Sequence, residues 1–368
     1  ETSNRVDKVL DEFHQSMADF LNARYKEEII FGQNMTTLTL HISRSIGRLF
    51  KEDDEIILSR MDHDANISPW LLLAEDIGLK VKWLTFNKET FEFDLNQLDE
   101  LFSERTRLIC VGGASNLIGT INDIKAICKK AKNEKILTYI DAVQLAPHVA
   151  IDVQEIDCDF LVCSAYKFFG PHQGILWGRK EIMQTLQPYK VRPATSELPG
   201  SFETGTQSHE GMAGTTAAVN YFAWIGKEFA GQFQNEHAFD RQRTKYVHAA
   251  LDYLFEYEKL LTLYLIEGLS NLKKIKIQGV TQSDAMDRRL PTVSFSADGV
   301  HPEEIAKELG KNNIFVWSGH SYAIEVVKTL GLYEKGGVIR TGPVHYNSKE
   351  EIEEFLKILE SILATKHR

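Results

Sequence analysis

Residues 159–178 read DFLVCSAYKFFGPHQGILWG. Between the aspartate that opens this stretch and its closing glycine, Lys167 is the one side chain fully charged at neutral pH. Phe160, Leu161 and Val162 precede it, Tyr166, Phe168 and Phe169 flank it, and Ile175, Leu176 and Trp177 follow. A lysine is almost never fully buried unless it is paired. This one either escapes to water at a loop tip or is held inside for chemistry. The run before it, DFLVCSA (159–165), lacks polar alternation and reads as a strand buried on both faces. GILWGRKE follows too soon for a helical crossover and is expected to pair antiparallel with it.

Working outward, EIILSR (55–60), KVKWLTF (80–86), RLICVGG (107–113) and ILTYIDA (136–142) have the same texture. Helical patterns near 67–78 and 121–134 lie between them. Strand–helix alternation predicts an α/β fold with a mostly parallel sheet and right-handed crossovers. An N-terminal helix is marked by Val6, Leu10, Phe13, Met17, Phe20 and Leu21 at helical spacing. A long helical region spans about 236–265. Beyond it KIKIQG, LPTVSFSA, NIFVWSG and GVIRTGP read as strands, with helices near 302–310 and 348–365. The expected division is a large domain over 1–240 and a smaller α+β domain over 241–368. No internal repeat or low-complexity linker interrupts it.

The 368 residues are 43% hydrophobic and 26% charged, ordinary globular material with a net charge of −10. That charge and the lack of a dense basic run argue against nucleic acid or an anionic membrane as partner. No apolar run approaches the roughly 20 residues of a membrane span, and no signal peptide is visible. Cys110, Cys128, Cys158 and Cys163 form no C-x-x-C pair and read as buried thiols of a cytoplasmic protein. The chain enters a helical pattern directly after Glu1, and an earlier N-terminal segment is expected.

Ligands of open parallel sheets bind at the carboxyl ends of the strands. After ILTYI come Asp141 and Gln144, after DFLVC come Ser164, Tyr166 and Lys167, and after RLICV come GGASN and Asn116. Each has a plain structural use alone, as cap, turn or surface residue, but one crevice would collect all three groups. A buried lysine near a carboxylate, beside a phosphate-friendly loop, suits Schiff-base formation with pyridoxal 5'-phosphate. The carboxylate would favour the protonated pyridine ring. FGQNMTTLTLHISRSIGRLF (31–50) offers the phosphate site, a Gly/Asn/Thr turn opening a helix whose free N–H groups favour an anion.

YIDAVQLAPH (139–148), CSAYKFFGPHQG (163–174), FETGTQSHEG (202–211), DHDANISPW (62–70) and ASNLIGT (114–120) resemble the class V aminotransferases, most of all their cysteine desulfurase-like branch. The resemblance runs from the first helix to RTGPVHYNSKEEI (340–352). Its most specific part is Asp-x-x-Gln with the lysine of Ser-x-x-Lys 26 positions after the aspartate (167 − 141). It implies a fold-type I enzyme with a seven-stranded large domain, a small C-terminal domain, and a homodimer with sites at the interface. Carried over by position, Lys167 resembles the Schiff-base lysine and Cα proton shuttle, and Asp141 the pyridinium partner. Gln144 would bond the cofactor's phenolic oxygen. Asn34, Met35, Thr36 and Ser164 would hold the phosphate, with Thr206 reaching in from the partner subunit. Asn116 and Arg340 resemble the groups that hold a substrate carboxylate.

Four departures matter. DHDAN puts Asp64 where the desulfurases stack a histidine on the cofactor ring, so either His63 moves in or the ring is covered otherwise. Asn-Met-Thr stands for Gly-Thr-Thr in the phosphate loop. Ser164-Ala165-Tyr166-Lys167 stands for Ser-Gly-His-Lys, so a phosphate donor there would be the Tyr166 phenol. The mobile-loop cysteine that carries persulfide in a desulfurase is also replaced: in WSGHSYA (317–323) Tyr322 stands at its place and Trp317 at that of the preceding arginine. The expected function is C–S lyase or desulfurase-like action on a small amino acid without a persulfide cysteine. The alternatives are a class V aminotransferase on a non-sulfur amino acid and an inactive binding or scaffold protein. No metal site is expected, since Asp62, His63 and Asp64 are adjacent and rarely could converge on one ion.

Overall fold

A computed structural model of the chain describes residues 2–365. The large sheet contains β1 (Ile29–Gly32), β2 (Glu55–Ser59), β3 (Lys80–Leu84), β4 (Thr106–Gly112), β5 (Leu137–Asp141), β6 (Phe160–Ser164) and β7 (Gly174–Gly178). Its seven strands lie in the order β1-β7-β6-β5-β4-β2-β3. The ladder from β3 to β6 is parallel, and β7 pairs antiparallel with both β6 and β1. β7 therefore runs alone against the rest.

Residues alternate between the sheet's two faces, as the pleat dictates. Ile57, Ile109, Val111, Ile140, Leu161 and Cys163 join one core, with the helices Thr2–Phe20, His209–Glu228 and Ile124–Asn133. Ile56, Leu58, Leu108, Cys110, Tyr139, Phe160 and Val162 join the other, with the helices Met35–Gly47 and Ser68–Ile77. Burial on both faces explains the unalternating strand sequences.

The second sheet is antiparallel: β8 (Ile275–Gln278), β9 (Val293–Ala297), β10 (Trp317–Gly319) and β11 (Val338–Thr341), in the order β10-β11-β9-β8. Pro302–Lys311 and Lys349–Thr365 pack their apolar stripes against it. The helix Gln242–Asn271 serves both bodies. Val247, Ala250, Leu251 and Leu254 belong to the large core, and Leu261, Leu265, Ile266 and Leu269 to the small one.

Two elements go beyond the sequence expectation. The strand β1 is only four residues long and lies against the phosphate-loop stretch. The helix His209–Glu228 is rich in Gly, Ala and Thr, so its apolar face is weakly patterned. The long helix also begins later and ends later than 236–265. The strand termini that matter lie side by side: Gly112 is in register with Asp141, and Ser164 with Gly174. Gly174 is needed for a close approach. A Cβ there would come 2.3 Å from the carbonyl carbon of Asn34, so a side chain would push the 34–36 turn off the sheet.

Candidate active site

A cavity of about 390 Å³ opens at these strand ends, within the range of small-molecule sites. Its floor is large-domain sequence. Asp141 ends β5, Ser164 ends β6, and Lys167 follows in a single 3₁₀ turn, Ala165–Phe168. Asn34, Met35 and Thr36 form one side, where the helix Met35–Gly47 begins. Asn34 caps that helix, its Oδ1 accepting from the Thr37 N–H at 2.8 Å. The first free N–H groups of the helix thus border the cavity, a setting that favours an anion. The small domain supplies Trp317, Ser321, Tyr322 and Arg340.

Every site residue expected from the sequence lines this cavity except Thr206. Thr206 is exposed, in the loop before the helix His209–Glu228. His63 and Asn116 are in the wall, and Gln144 is held by its amide, which donates to Thr292 Oγ1 at 2.9 Å. Asp64 turns away from the cavity and accepts from Ser68 Oγ at 2.5 Å. The Tyr166 ring stacks on His172, with centroids 5.3 Å apart. The lysine between apolar runs is half-buried at the cavity wall.

The electrostatics follow from water exclusion. Burial pushes the Lys167 amine down from its ordinary value, Arg340 pushes further, and Asp141 opposes both. Burial raises Asp141 to about 6, against the Val143 N–H bond (2.9 Å) and the attraction of Lys167. His63 is lowered to about 4, chiefly by burial, so its ring is neutral at physiological pH. The Arg340 guanidinium is lowered from the ordinary arginine value by burial and donates to the Asn116 carbonyl at 2.9 Å.

Two features of this site go further than the sequence reading. Asp62, weighed only as a metal ligand, lies beneath the floor and is pushed up to about 7 by burial. It accepts from the Gly112 N–H at 2.9 Å and from Asn66 Nδ2 at 2.7 Å, pinning the end of β4. Its signal was present in the first Asp of DHDAN, but nothing in sequence tells an inward carboxyl from a surface one. The second feature is the 317–323 segment. The Asn116 amide donates to the Ser321 carbonyl at 2.8 Å, and the Asp64 N–H donates to the Tyr322 carbonyl at 2.7 Å. These bonds tie the small-domain loop to the large-domain site.

The residues present fit pyridoxal 5'-phosphate and an amino acid. There is a nucleophilic amine, a carboxyl, an anion cradle and an arginine on one cavity. Asn116 Oδ1 and Ser321 Oγ are buried there without a hydrogen-bond partner. An unmet buried polar group costs about 1–3 kcal/mol, which a bound polar ligand would recover.

The comparisons with known proteins agree with this architecture. The family model described as Aminotransferase class-V matches residues 1–256 and 241–355. A probable cysteine desulfurase from Synechocystis is 30% identical over 98% of this chain and 82% of its own length. A cysteine desulfurase from Pectobacterium atrosepticum is 29% identical over 98% of this chain and 84% of its own. The apo structure of a cysteine desulfurase from Thermococcus onnurineus superposes with a TM-score of 0.87 at 27% identity, covering 99% of this chain and 86% of that one. The chain belongs to the class V aminotransferase family of pyridoxal 5'-phosphate-dependent enzymes, among its cysteine desulfurase-like members.

Proposed function

We propose that this enzyme holds its cofactor through Lys167 and acts on a small amino acid by C–S lyase chemistry, without a persulfide cysteine of its own. When bound, the cofactor supplies an electron sink for charge developing at the substrate's Cα. The chain's residues do the rest. The Lys167 amine, its pKa depressed by burial, is the nucleophile that captures the cofactor and afterwards the base that moves the Cα proton. Asp141, buried on the same cavity, would pair with the cofactor's pyridine nitrogen and favour its protonated form. Asn34, Met35, Thr36 and Ser164 take the phosphate. Arg340 and Asn116 take the substrate carboxylate, for which a planar guanidinium fork is suited. His63, neutral and in the wall, would cover the cofactor ring where Asp64, turned toward Ser68, cannot.

The observation that carries this reading is the meeting of Lys167, Asp141, Arg340 and the 34–36 cradle on one cavity. The lack of persulfide chemistry rests on the thiols. All four cysteines are buried and none lines the cavity. Burial holds every one of them above the ordinary thiol value, Cys128 at about 12. Such thiols are inert. Their unpaired state also supports a cytoplasmic home. No described helix is long and apolar enough to cross a membrane.

We further infer a homodimer in which Thr206, remote from its own cavity, serves the partner's phosphate site. An active, cofactor-loaded monomer by sedimentation at micromolar concentration would contradict that. The function is tested by purifying the protein with cofactor and following its visible absorbance against a panel of amino acids. A lyase releases sulfide or a thiol together with the keto acid and ammonia. An aminotransferase instead yields a keto acid with the amino group retained on the enzyme. A protein with no visible band and no borohydride-trapped adduct would be a binding protein on this fold.

A further inference from the structure

The mouth of the cavity is built from aromatic rings. Trp317 is 57% exposed and Tyr322 61% exposed, and both line the cavity. The Tyr322 ring stacks on the neutral His63 ring, with centroids 5.5 Å apart at 27°. A second cleft of about 390 Å³ joins the first, sharing Gln144, Lys167, Trp317 and Arg340 with it. Its outer wall is apolar: Phe315, Pro291, Pro343 and Val344. Phe315 is 85% exposed. In the segment leading into β10, Ile314 and Val316 pack on the small-domain core while Phe315 and Trp317 are exposed.

The loop that presents Tyr322 is held in a costly shape. Ser321 and Tyr322 are consecutive non-glycine residues in the left-handed region, at φ 46 and φ 58. Such residues persist where their surroundings over-determine them, and they cluster at functional sites. Both their carbonyls are bonded to the large domain, by Asn116 and by the Asp64 N–H. Those bonds and the stack on His63 hold the Tyr322 ring at the mouth despite the backbone strain.

We propose that the substrate is an α-amino acid whose side chain carries an aromatic ring, lodged between Trp317, Tyr322 and Phe315 with its carboxylate on Arg340. This rests on the reading of the cavity as the site of an amino-acid C–S lyase and enlarges its substrate from a small side chain to one whose sulfur bears an aryl group. A thiol the size of cysteine's would leave these rings in water. An arene leaving the reacting centre meets Trp317 first and the Phe315 cleft beyond it. Offset or edge-on ring pairs add affinity beyond area burial.

The test uses unreactive carboxylates on the cofactor-loaded protein, with binding read by titration calorimetry. The probes are propionate, 3-mercaptopropionate and 3-phenylpropionate. The expected result is 3-phenylpropionate bound about tenfold or more tighter than the other two. Trp317→Ala should collapse the ratio toward one, and Trp317→Phe should restore most of it. Arg340→Gln should weaken all three probes together. Equal affinities in the wild type, no binding of any probe, or a preference untouched by Trp317→Ala with Tyr322→Ala would overturn the proposal. The visible cofactor band, recorded on each sample first, keeps the two readings apart. Its absence strikes the cofactor site, and its presence with no aryl preference strikes only this inference.

Discussion

The floor and the mouth of the cavity differ in kind. The floor is made of strand ends and one helix start, where backbone pairing fixes each position: Gly112 against Asp141, Ser164 against Gly174. Its polar groups are buried, and their protonation is pushed by exclusion of water. The mouth is the edge strand β10 with the turn that follows it, Trp317 to Ala323, carried on the small domain and pinned to the large one by a few hydrogen bonds. The floor keeps the lysine, aspartate and glutamine that resemble the family pattern. By the resemblance, Trp317 and Tyr322 at the mouth stand where the family places an arginine and a cysteine. On the proposed reading, the difference teaches that reaction class and substrate choice are written in separate parts of the molecule. Residues that handle electrons and protons need a rigid, dry frame, whereas an edge strand and its turn can change their rings without disturbing the large sheet.

The comparison can be broken at the floor first. Lys167→Ala removes nucleophile and base together and should lower turnover by about 10⁴-fold with the fold intact, as steady-state kinetics and circular dichroism would report. Asp141→Ala should lower turnover by about 10²-fold and cofactor affinity less, because the lost interaction matters most as charge develops on the ring. Unchanged turnover in that variant would remove Asp141 from the chemistry.

A change at the mouth should leave the floor intact and alter what happens to sulfur. Wild-type protein incubated with free cysteine should acquire no protein-bound persulfide. Tyr322→Cys places an exposed thiol at the cavity; where its thiolate attacks the sulfur of bound cysteine, the C–S electron pair passes to Cβ, alanine is released instead of pyruvate and ammonia, and a 32 Da adduct should appear at that residue by mass spectrometry in step with alanine formation. An adduct of that size on Cys110, Cys128, Cys158 or Cys163 in the wild type would show the buried thiols to be reactive after all.

The smallest expected effect is on stability. Asp141 has a folded pKa near 6, above the ordinary 3.8, so the fold prefers its neutral form. Its stabilising contribution is complete below the unfolded pKa and is lost as pH rises through the folded one. Asparagine is neutral throughout and can keep the Val143 bond. Cofactor-free Asp141→Asn should therefore melt a few degrees above wild type at pH 8, with the gap narrowing at pH 5, in paired thermal scans. A gap independent of pH would mean that Asp141 is not held in a dry floor.

Much of the floor was legible because its signals are local. Unalternating apolar runs announce doubly buried strands, and a polar residue just past such a run has few places to go except the crevice. Asn34, ahead of Met35 and two threonines, reads as a helix start because asparagine is a favoured N-cap. The strand Ile29–Gly32 was missed because four residues carry too little pattern, and the helix His209–Glu228 because its small residues blur the apolar face. The inward carboxyl of Asp62 was illegible for a different reason. What buries it is Gly112, fifty positions away, through a tertiary contact with no local trace. The outward rings of Phe315 and Trp317 were hidden inside NIFVWSG, which reads as an ordinary buried strand until the partner face of β10 is known.

The most direct test of the account is chemical. Reduce the cofactor-loaded enzyme with borohydride, digest it, and map the pyridoxyl-bearing peptide by mass spectrometry. The account predicts one modified residue, Lys167, within the peptide that follows Ser164, and loss of the visible band in step with its formation. A pyridoxyl group on any other lysine, or a band lost with no modified lysine at all, would contradict it.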